Sequence, residues 1–310
     1  MIMAGQHRIA DIQVGNDRIA KVWRDGETLW ERPAPLWTGL AFTFEEAGTE
    51  LKLTKNGSPA AITLQISTDG GVTWPEWKET NGVRSFTSTT AGQKICLKGD
   101  NETISTSNND YYQFSMNGRV AASGNIQSLV GFSDSVSEYC YYCMFEECTS
   151  LLTAPELPAD TMAIECYAYM FVGCTALVTA PVLPATTLNT MCYCGMFYGC
   201  TSLVNAPALP ATTLGYGCYI DMFRECISLT SAPVLAASDL VSSCYEGMFY
   251  GCTSLVNITM LATYYYAWDY PFRDWVVGVA PTGTFTKAIG MTLPIYGCIP
   301  EGWTVKEYEG

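Results

Sequence analysis

Fourteen cysteines and a single histidine, His7, are the residues of this 310-residue chain that first raise the question of metal or thiol chemistry. Ten of the cysteines fall into two columns with a 26-residue step: Cys140, Cys166, Cys192, Cys218, Cys244, and then Cys148, Cys174, Cys200, Cys226, Cys252. A structural zinc site needs four thiolate or imidazole ligands at paired spacings. Cys140-x-x-Cys143 is a lone pair and Cys192-x-Cys194 recurs in no other copy, so neither a metal nor a cofactor is expected. Stacked columns could bring Cα atoms close to bridging distance. A cysteine at the same inward position of every copy reads instead as a small, soft apolar filler, and reduced thiols are expected. No nucleophile is paired with a base, and Glu146, Glu147 and Asp160 read as solvated carboxylates. The chain is therefore read as a non-enzyme.

One further motif could carry chemistry. Ser67-Thr68-Asp69-Gly70-Gly71-Val72-Thr73-Trp74 resembles the Asp box found on hairpins of sialidase-type propellers. A propeller would show several boxes, and a sialidase an arginine cluster. With one box and no cluster, the expectation is a turn pinned by a carboxylate and a tryptophan.

What remains is binding, and the repeat indicates where. Met144-Phe145, Met170-Phe171, Met196-Phe197, Met222-Phe223 and Met248-Phe249 hold the same 26-residue register as the cysteines, so five copies run from Cys140 to about Ala262. A fixed period of this size marks units that bury their apolar face only by stacking on neighbours. The first Cys, the Met and the second Cys lie at i, i+4 and i+8, which predicts one inward face of a short helix, with Tyr and Phe beside it. The Tyr hydroxyl then needs water or a partner. Two leucine columns, Leu151, Leu177, Leu203, Leu229, Leu255 and Leu157, Leu183, Leu209, Leu235, Leu261, predict an inner ladder on an extended segment. Pro155, Pro181, Pro207 and Pro233 interrupt that ladder and limit its strands to three or four residues.

Positions that vary between copies are the candidate ligand contacts. Glu146, Val172, Tyr198, Arg224 and Tyr250 form one outward column, and Tyr142, Ala168, Cys194, Ile220 and Glu246 another. Tyr198, Arg224, Tyr250 and Glu146 are the expected ligand-binding residues, because Tyr and Arg supply stacking and fork-like hydrogen bonding at low entropic cost. A second face, with Thr179, Asn205, Ser231 and Asn257 in line, is the alternative.

The unit Met170-Phe171-Val172-Gly173-Cys174-Thr175-Ala176-Leu177 and its four sisters resemble the BspA-like bacterial-surface leucine-rich repeat. The resemblance implies an extended ligand-binding solenoid, usually an adhesin. The flanks extend this expectation. Residues 1–33 read as a small β anchoring module, with a meander over 9–31 and a joint at Arg32-Pro33-Ala34-Pro35. Residues 36–116 read as a β-sandwich of short runs separated by Gly, Asn and Ser. Residues 117–262 comprise the solenoid with an amino cap in which Ile126 and Leu129 cover the first copy. Residues 263–310 form an aromatic carboxy-terminal cap with Tyr264, Tyr265, Tyr266, Trp268, Phe272, Trp275 and Trp303. The expected fold class is mainly β with short helices.

Charge narrows the partners. The net charge is −14, and Arg224 and Arg273 are the only basic residues between Arg119 and Lys287. Neither nucleic acid nor an anionic membrane surface is expected as a partner, since phosphate neutralisation needs a basic patch. No stretch reaches eighteen apolar residues, so no membrane insertion is expected. The amino terminus shows no secretion signal, which favours a virion over a bacterial cell surface. The order of module, sandwich and repeats resembles tail or fibre proteins of phages and prophages of gut bacteria. The expected function is virion-associated recognition of a host-surface glycan or protein through the repeats, with the amino-terminal module meeting other virion proteins. A decoration protein, a bacterial adhesin and a homo-oligomer remain open alternatives.

Overall fold

A computed structural model describes residues 3–4, 7–8, 21–24, 27–31, 36–265, 270–291 and 298–309. The protein is mainly β, and regular helix among the described residues is confined to one 3-10 turn, Ile126–Leu129. Among the described residues no helix is long and apolar enough to cross a membrane. Near the amino terminus, β1 (Met3–Ala4) pairs with β2 (His7–Arg8), and β3 (Lys21–Arg24) with β4 (Glu27–Glu31). The first strand expected for the meander, the Val14–Arg18 turn, the proline joint, Tyr266 and Trp268 lie outside the described residues.

From residue 36 the alternation of apolar and polar residues builds two sheets around one core. β5 (Ala41–Phe44), β6 (Glu50–Asn56), β7 (Leu64–Ser67), β8 (Val83–Thr87), β9 (Lys94–Gly99), β10 (Tyr111–Met116) and β11 (Val120–Ser123) follow in order. In β6, Leu51 and Leu53 are fully buried while Lys52 and Thr54 face outward, the two-residue period of a half-covered strand. One sheet has the order β10-β6-β8. The other, β12-β11-β5-β9-β7, takes β12 (Leu151–Thr153) from the first repeat. β11 thus hydrogen-bonds antiparallel to β5 and parallel to β12, so this sheet continues into the repeats across a register shift between Val120 and Ala121.

The repeats contain no helix, which corrects the expected helical face. Tyr139, Tyr141, Cys143, Phe145 and Glu147 send their N–H groups to the carbonyls of Ile164, Cys166, Ala168, Met170 and Val172 in the next unit, at 2.7 to 3.1 Å. The residues between them, Cys140, Tyr142, Met144, Glu146 and Cys148, donate three residues back, at 2.9 to 3.3 Å. The result is a chain of overlapping turns in which every second N–H ties one unit to the next. Each turn needs a left-handed residue every fourth position: Tyr139, Cys143 and Glu147 have φ of 57°, 53° and 57°, and Gly195 and Gly199 have 59° and 70°. An α-helix would have failed here for a geometric reason. Its four-residue step overshoots a turn by about 40°, so columns at i, i+4 and i+8 would drift off the core, whereas a four-residue turn keeps them straight.

The burial that the helix was meant to explain is nonetheless complete. Every Cys, Met and Phe of the repeat register, and Tyr141, Tyr167, Tyr193, Tyr219 and Tyr245, is at most 2% exposed. Equivalent rings stack face to face: Phe145, Phe171, Phe197, Phe223 and Phe249 at 5.5 to 5.8 Å, and the five tyrosines at 5.5 to 6.1 Å. Tyr141 donates its hydroxyl to Gln127 at 2.6 Å, while the Tyr167 hydroxyl is buried without a hydrogen-bond partner among the described residues.

The second cysteine column does more than fill space. Cys148, Cys174, Cys200 and Cys226 each donate Sγ–H to the carbonyl of Phe114, Phe145, Phe171 and Phe197 at 3.1 Å, and Cys252 to that of Phe223 at 2.9 Å. These bonds need protonated thiols, and all fourteen cysteines are buried as thiols. Native-state labelling with a thiol reagent is therefore expected to reach few of the fourteen within the time that labels them all in denaturant. Rapid native labelling of ten or more would show that the columns open.

On the extended side the prolines act as expected in the middle units, which make only single bridges such as Thr179 to Asn205 and Asn205 to Ser231. Later strands are β13 (Ser231–Leu235), β14 (Asp239–Leu240), β15 (Asn257–Met260), β16 (Tyr264–Tyr265), β17 (Thr284–Lys287) and β18 (Thr304–Glu307). The parallel order is β13-β15-β17-β18, with β14 paired to β16. β13 has five residues, one beyond the expected limit, and accommodates Pro233 at a register shift between Ser231 and Val234. The fifth unit also departs from its column. Lacking the proline, it forms a regular strand in which Met260 pairs with Leu235 and is buried, leaving Leu261 half-buried.

Both ends of the stack are covered. Phe114 stacks on Phe145 at 5.1 Å, with Ile126 and Leu129 fully buried. At the other end Trp275 meets Tyr245 at 6.3 Å and Phe249 at 6.0 Å, and its indole N–H donates to the Cys298 carbonyl. Phe272 and Trp303 are also buried, whereas Tyr264 is exposed.

Candidate recognition surface

The turn chain fixes which side chains point outward, because residues two apart on it alternate between core and solvent. Glu146, Val172, Tyr198, Arg224 and Tyr250 occupy one half-buried column, one per unit. Three of the four expected ligand contacts meet there. The Arg224 guanidinium carbon lies 4.1 Å from the Tyr250 ring centre and 5.7 Å from that of Tyr198. This cation–π sandwich helps to fix a long, flexible side chain. Glu146 is three units away from Arg224, with Val172 and Tyr198 between them, so the structure does not bring it to the cluster.

Arg224 is already engaged on one edge. Its Nη1 donates to Asp221 Oδ1 at 3.2 Å, and its Nε lies 4.0 Å from Glu225. Two carboxylates against one guanidinium make the local field acidic, which disfavours a phosphate or carboxylate ligand. What the cluster offers instead is aromatic edges, N–H donors and carboxylate acceptors side by side.

The second expected column reaches the surface only at Tyr142, Ile220 and Glu246, which are half-buried. Ala168 and Cys194 are buried, because Tyr169 lies across the following unit and accepts the Cys194 Sγ–H at its hydroxyl, at 3.2 Å. Burial pushes the Cys194 thiol up to about 12. At the end of that column Glu246 accepts from Arg273.

Tyr169 exemplifies a set of surface residues that the sequence reading passed over. Glu147, Tyr169, Asp221 and Glu225 stand at left-handed positions, and each lies where a Cβ would project from Gly173, Gly195, Gly247 or Gly251 of the next unit. The glycine in one unit is the seat for a large side chain from the unit before. Those glycines, at every fourth position inside the expected helix, were the available signal. Seated this way, each side chain is held in place by the unit that follows it. Near the start of the stack Tyr142 meets Tyr111 at 5.6 Å, Tyr139 at 6.0 Å and Tyr169 at 5.7 Å, and Tyr139 donates to Glu165 at 3.3 Å. Burial raises the Glu165 pKa against that hydrogen bond.

The alternative face differs in chemistry. Thr179, Asn205, Ser231 and Asn257 are exposed and in line, and beside them Pro155, Pro158, Pro181, Val182 and Pro184 line an apolar groove of 540 Å³. Among the described residues no three His, Cys, Asp or Glu side chains converge as a metal would require. The Asp box closes on itself: Asp69 accepts from Ser67, Val72 and Thr73, which hold its carboxyl well below the usual carboxylate range, and Trp74 donates to Gly71. Comparison with family models, with curated proteins and with solved structures gives no match for this chain.

Proposed function

We propose that the stacked units are the coils of a BspA-like leucine-rich-repeat solenoid, that the two preceding sheets form a β-sandwich, and that the solenoid recognises a host-surface molecule. On this reading the protein belongs to a phage or prophage virion, as a tail- or fibre-type protein that meets other virion proteins through its amino-terminal module. The observation that carries the binding role is the Tyr198–Arg224–Tyr250 cluster, a preorganised aromatic and hydrogen-bonding surface on a rigid support. Because Asp221 and Glu225 already offset the guanidinium, a neutral glycan fits this surface better than an anionic ligand. The same ion pairing supports a second reading, a decoration protein whose Arg224 only braces neighbouring coils. A bacterial cell-surface location is the alternative to the virion.

Replacing Tyr198, Arg224 and Tyr250 together by Ala separates the two roles. Recognition predicts that attachment to host cells falls at least tenfold while the melting temperature drops by only a few degrees, since exposed cation–π pairs contribute about 0.5–1 kcal/mol each. Attachment at the parental level would remove the cluster from any recognition role and leave the face of Thr179 and Asn205 as the place to mutate.

A further inference from the structure

A second polar and aromatic site lies outside the repeats, where three separate stretches of chain meet at the end of β9. Thr63, Gln65, Lys98, Asp100 and Phe132, with the backbone of Gly99 and Gly131, line a pocket of 390 Å³, within the size range of small-ligand clefts. Phe132 is the unusual member. It has φ of 60°, a left-handed conformation that disfavours a bulky residue, and the residue is 43% exposed. Burial does not compensate for that strain. The backbone is held by a 2.7 Å bond from the Phe132 N–H to the Gln127 carbonyl, and the ring stands edge-on to Trp37 at 5.8 Å.

The remainder of the pocket is equally fixed. Asn101 accepts from the Thr63 N–H and donates to the Thr63 and Leu129 carbonyls, clamping two rims together. Gly131 donates to the Gly99 carbonyl, and its missing side chain leaves room for the Asp100 carboxylate. Gln65 donates to the Trp74 carbonyl, and the Lys98 ammonium lies 4.3 Å from the Trp74 ring centre. Lys98 and Asp100, two residues apart at the strand end, put a cation and an anion on one side of the sheet. That pairing suits neither a purely anionic nor a purely cationic ligand. A neutral pyranose matches every part: vicinal hydroxyls for the carboxylate, a ring oxygen or hydroxyl for the ammonium, and an apolar C–H face for the aromatic ring.

We propose that this pocket binds one pyranose unit of a glycan, as a second site independent of the Tyr198–Arg224–Tyr250 cluster. The test uses the full chain and saturation-transfer NMR with four probes: methyl α-D-glucopyranoside, methyl α-D-mannopyranoside, methyl β-D-galactopyranoside and N-acetylglucosamine, with cyclohexanol as the apolar control. At least one pyranoside is expected to bind in the millimolar range, and Phe132→Gly to weaken it at least tenfold. Because glycine suits φ of 60°, that variant is expected to melt no lower than the parent, so lost binding cannot be ascribed to lost folding. Silence from all four sugars, equal binding of cyclohexanol, or unchanged binding by Phe132→Gly would each overturn the proposal. So would loss of the sugar signal in the Tyr198, Arg224 and Tyr250 triple variant with retention in Phe132→Gly, which would assign the sugar to the repeats.

Discussion

Raising the pH from 8 to about 10 under reducing conditions is expected to unfold the repeats. Burial raises the pKa of the thiols of Cys140, Cys148, Cys166, Cys174, Cys192, Cys200, Cys218, Cys226 and Cys252, with Cys200 and Cys252 pushed up to about 12. The unfolded chain ionises near the ordinary cysteine value of about 8.5. Below that pH both states hold these protons, and the contribution to stability is fully present. Above it the unfolded state loses protons that the folded state keeps, so stability falls with pH until the folded thiols ionise in turn. At pH 9.5 each such thiol costs on the order of 1 kcal/mol, and nine of them sum to the order of 10 kcal/mol, comparable with the whole stability of a typical domain. The measurement is circular dichroism or differential scanning fluorimetry across pH 6 to 10.5. A melting temperature that stays level to pH 10 would mean that the thiols ionise in place, in an open stack.

The same thiols show what the sequence could and could not convey. Their columns, and the burial of Met, Phe and Tyr beside them, follow directly from the 26-residue register. The hydrogen bonds of the second column do not, because each acceptor is the carbonyl of a phenylalanine in the preceding unit or, for Cys148, of Phe114 in the flanking sheet. The helix reading failed because a strict four-residue period resembles a helical face over two turns. Gly173, Gly195, Gly199, Gly217, Gly247 and Gly251 distinguish the two, since left-handed positions recur every fourth residue only in the turn chain. Pro181 and Pro207 were legible as breaks in the ladder, but the shift that buries Met260 in place of Leu261 depends on strand pairing. On the surface, a shared register placed Tyr198, Arg224 and Tyr250 side by side. That Asp221 would take one edge of the guanidinium followed from its seat over Gly247, which only the stacking of units reveals. The Phe132 pocket joins residues near 63, 98 and 132, and no local pattern could have announced it.

Phe197→Ala is expected to be the most damaging single substitution in the repeats, because the ring sits at the centre of a one-dimensional stack. Phe197 is fully buried between Phe171 at 5.6 Å and Phe223 at 5.7 Å, almost parallel to both. Truncation removes its transfer free energy and leaves a cavity that flanking rings cannot fill, since their backbones are pinned by the N–H groups running from unit to unit. The cost is roughly 3–5 kcal/mol, corresponding to a fall in melting temperature on the order of 10 °C. Position makes this loss larger than at an end. Each unit is stabilised only through its neighbours, so a break at the third of five units leaves two short stacks, each with one unsupported face. Phe145→Ala, by contrast, leaves four phenylalanines still stacked and a site bordered by Phe114 and Phe42. Val178→Ala, at a position 52% exposed, supplies the control, with a change within about 0.5 kcal/mol. Native-state hydrogen exchange should show the Phe197→Ala loss spreading to the units of Phe171 and Phe223, whose amide protons bridge the break. A melting temperature within a degree or two of the parent would place Phe197 outside the stack and would remove the cooperative coupling on which the rigidity of the proposed recognition surface depends.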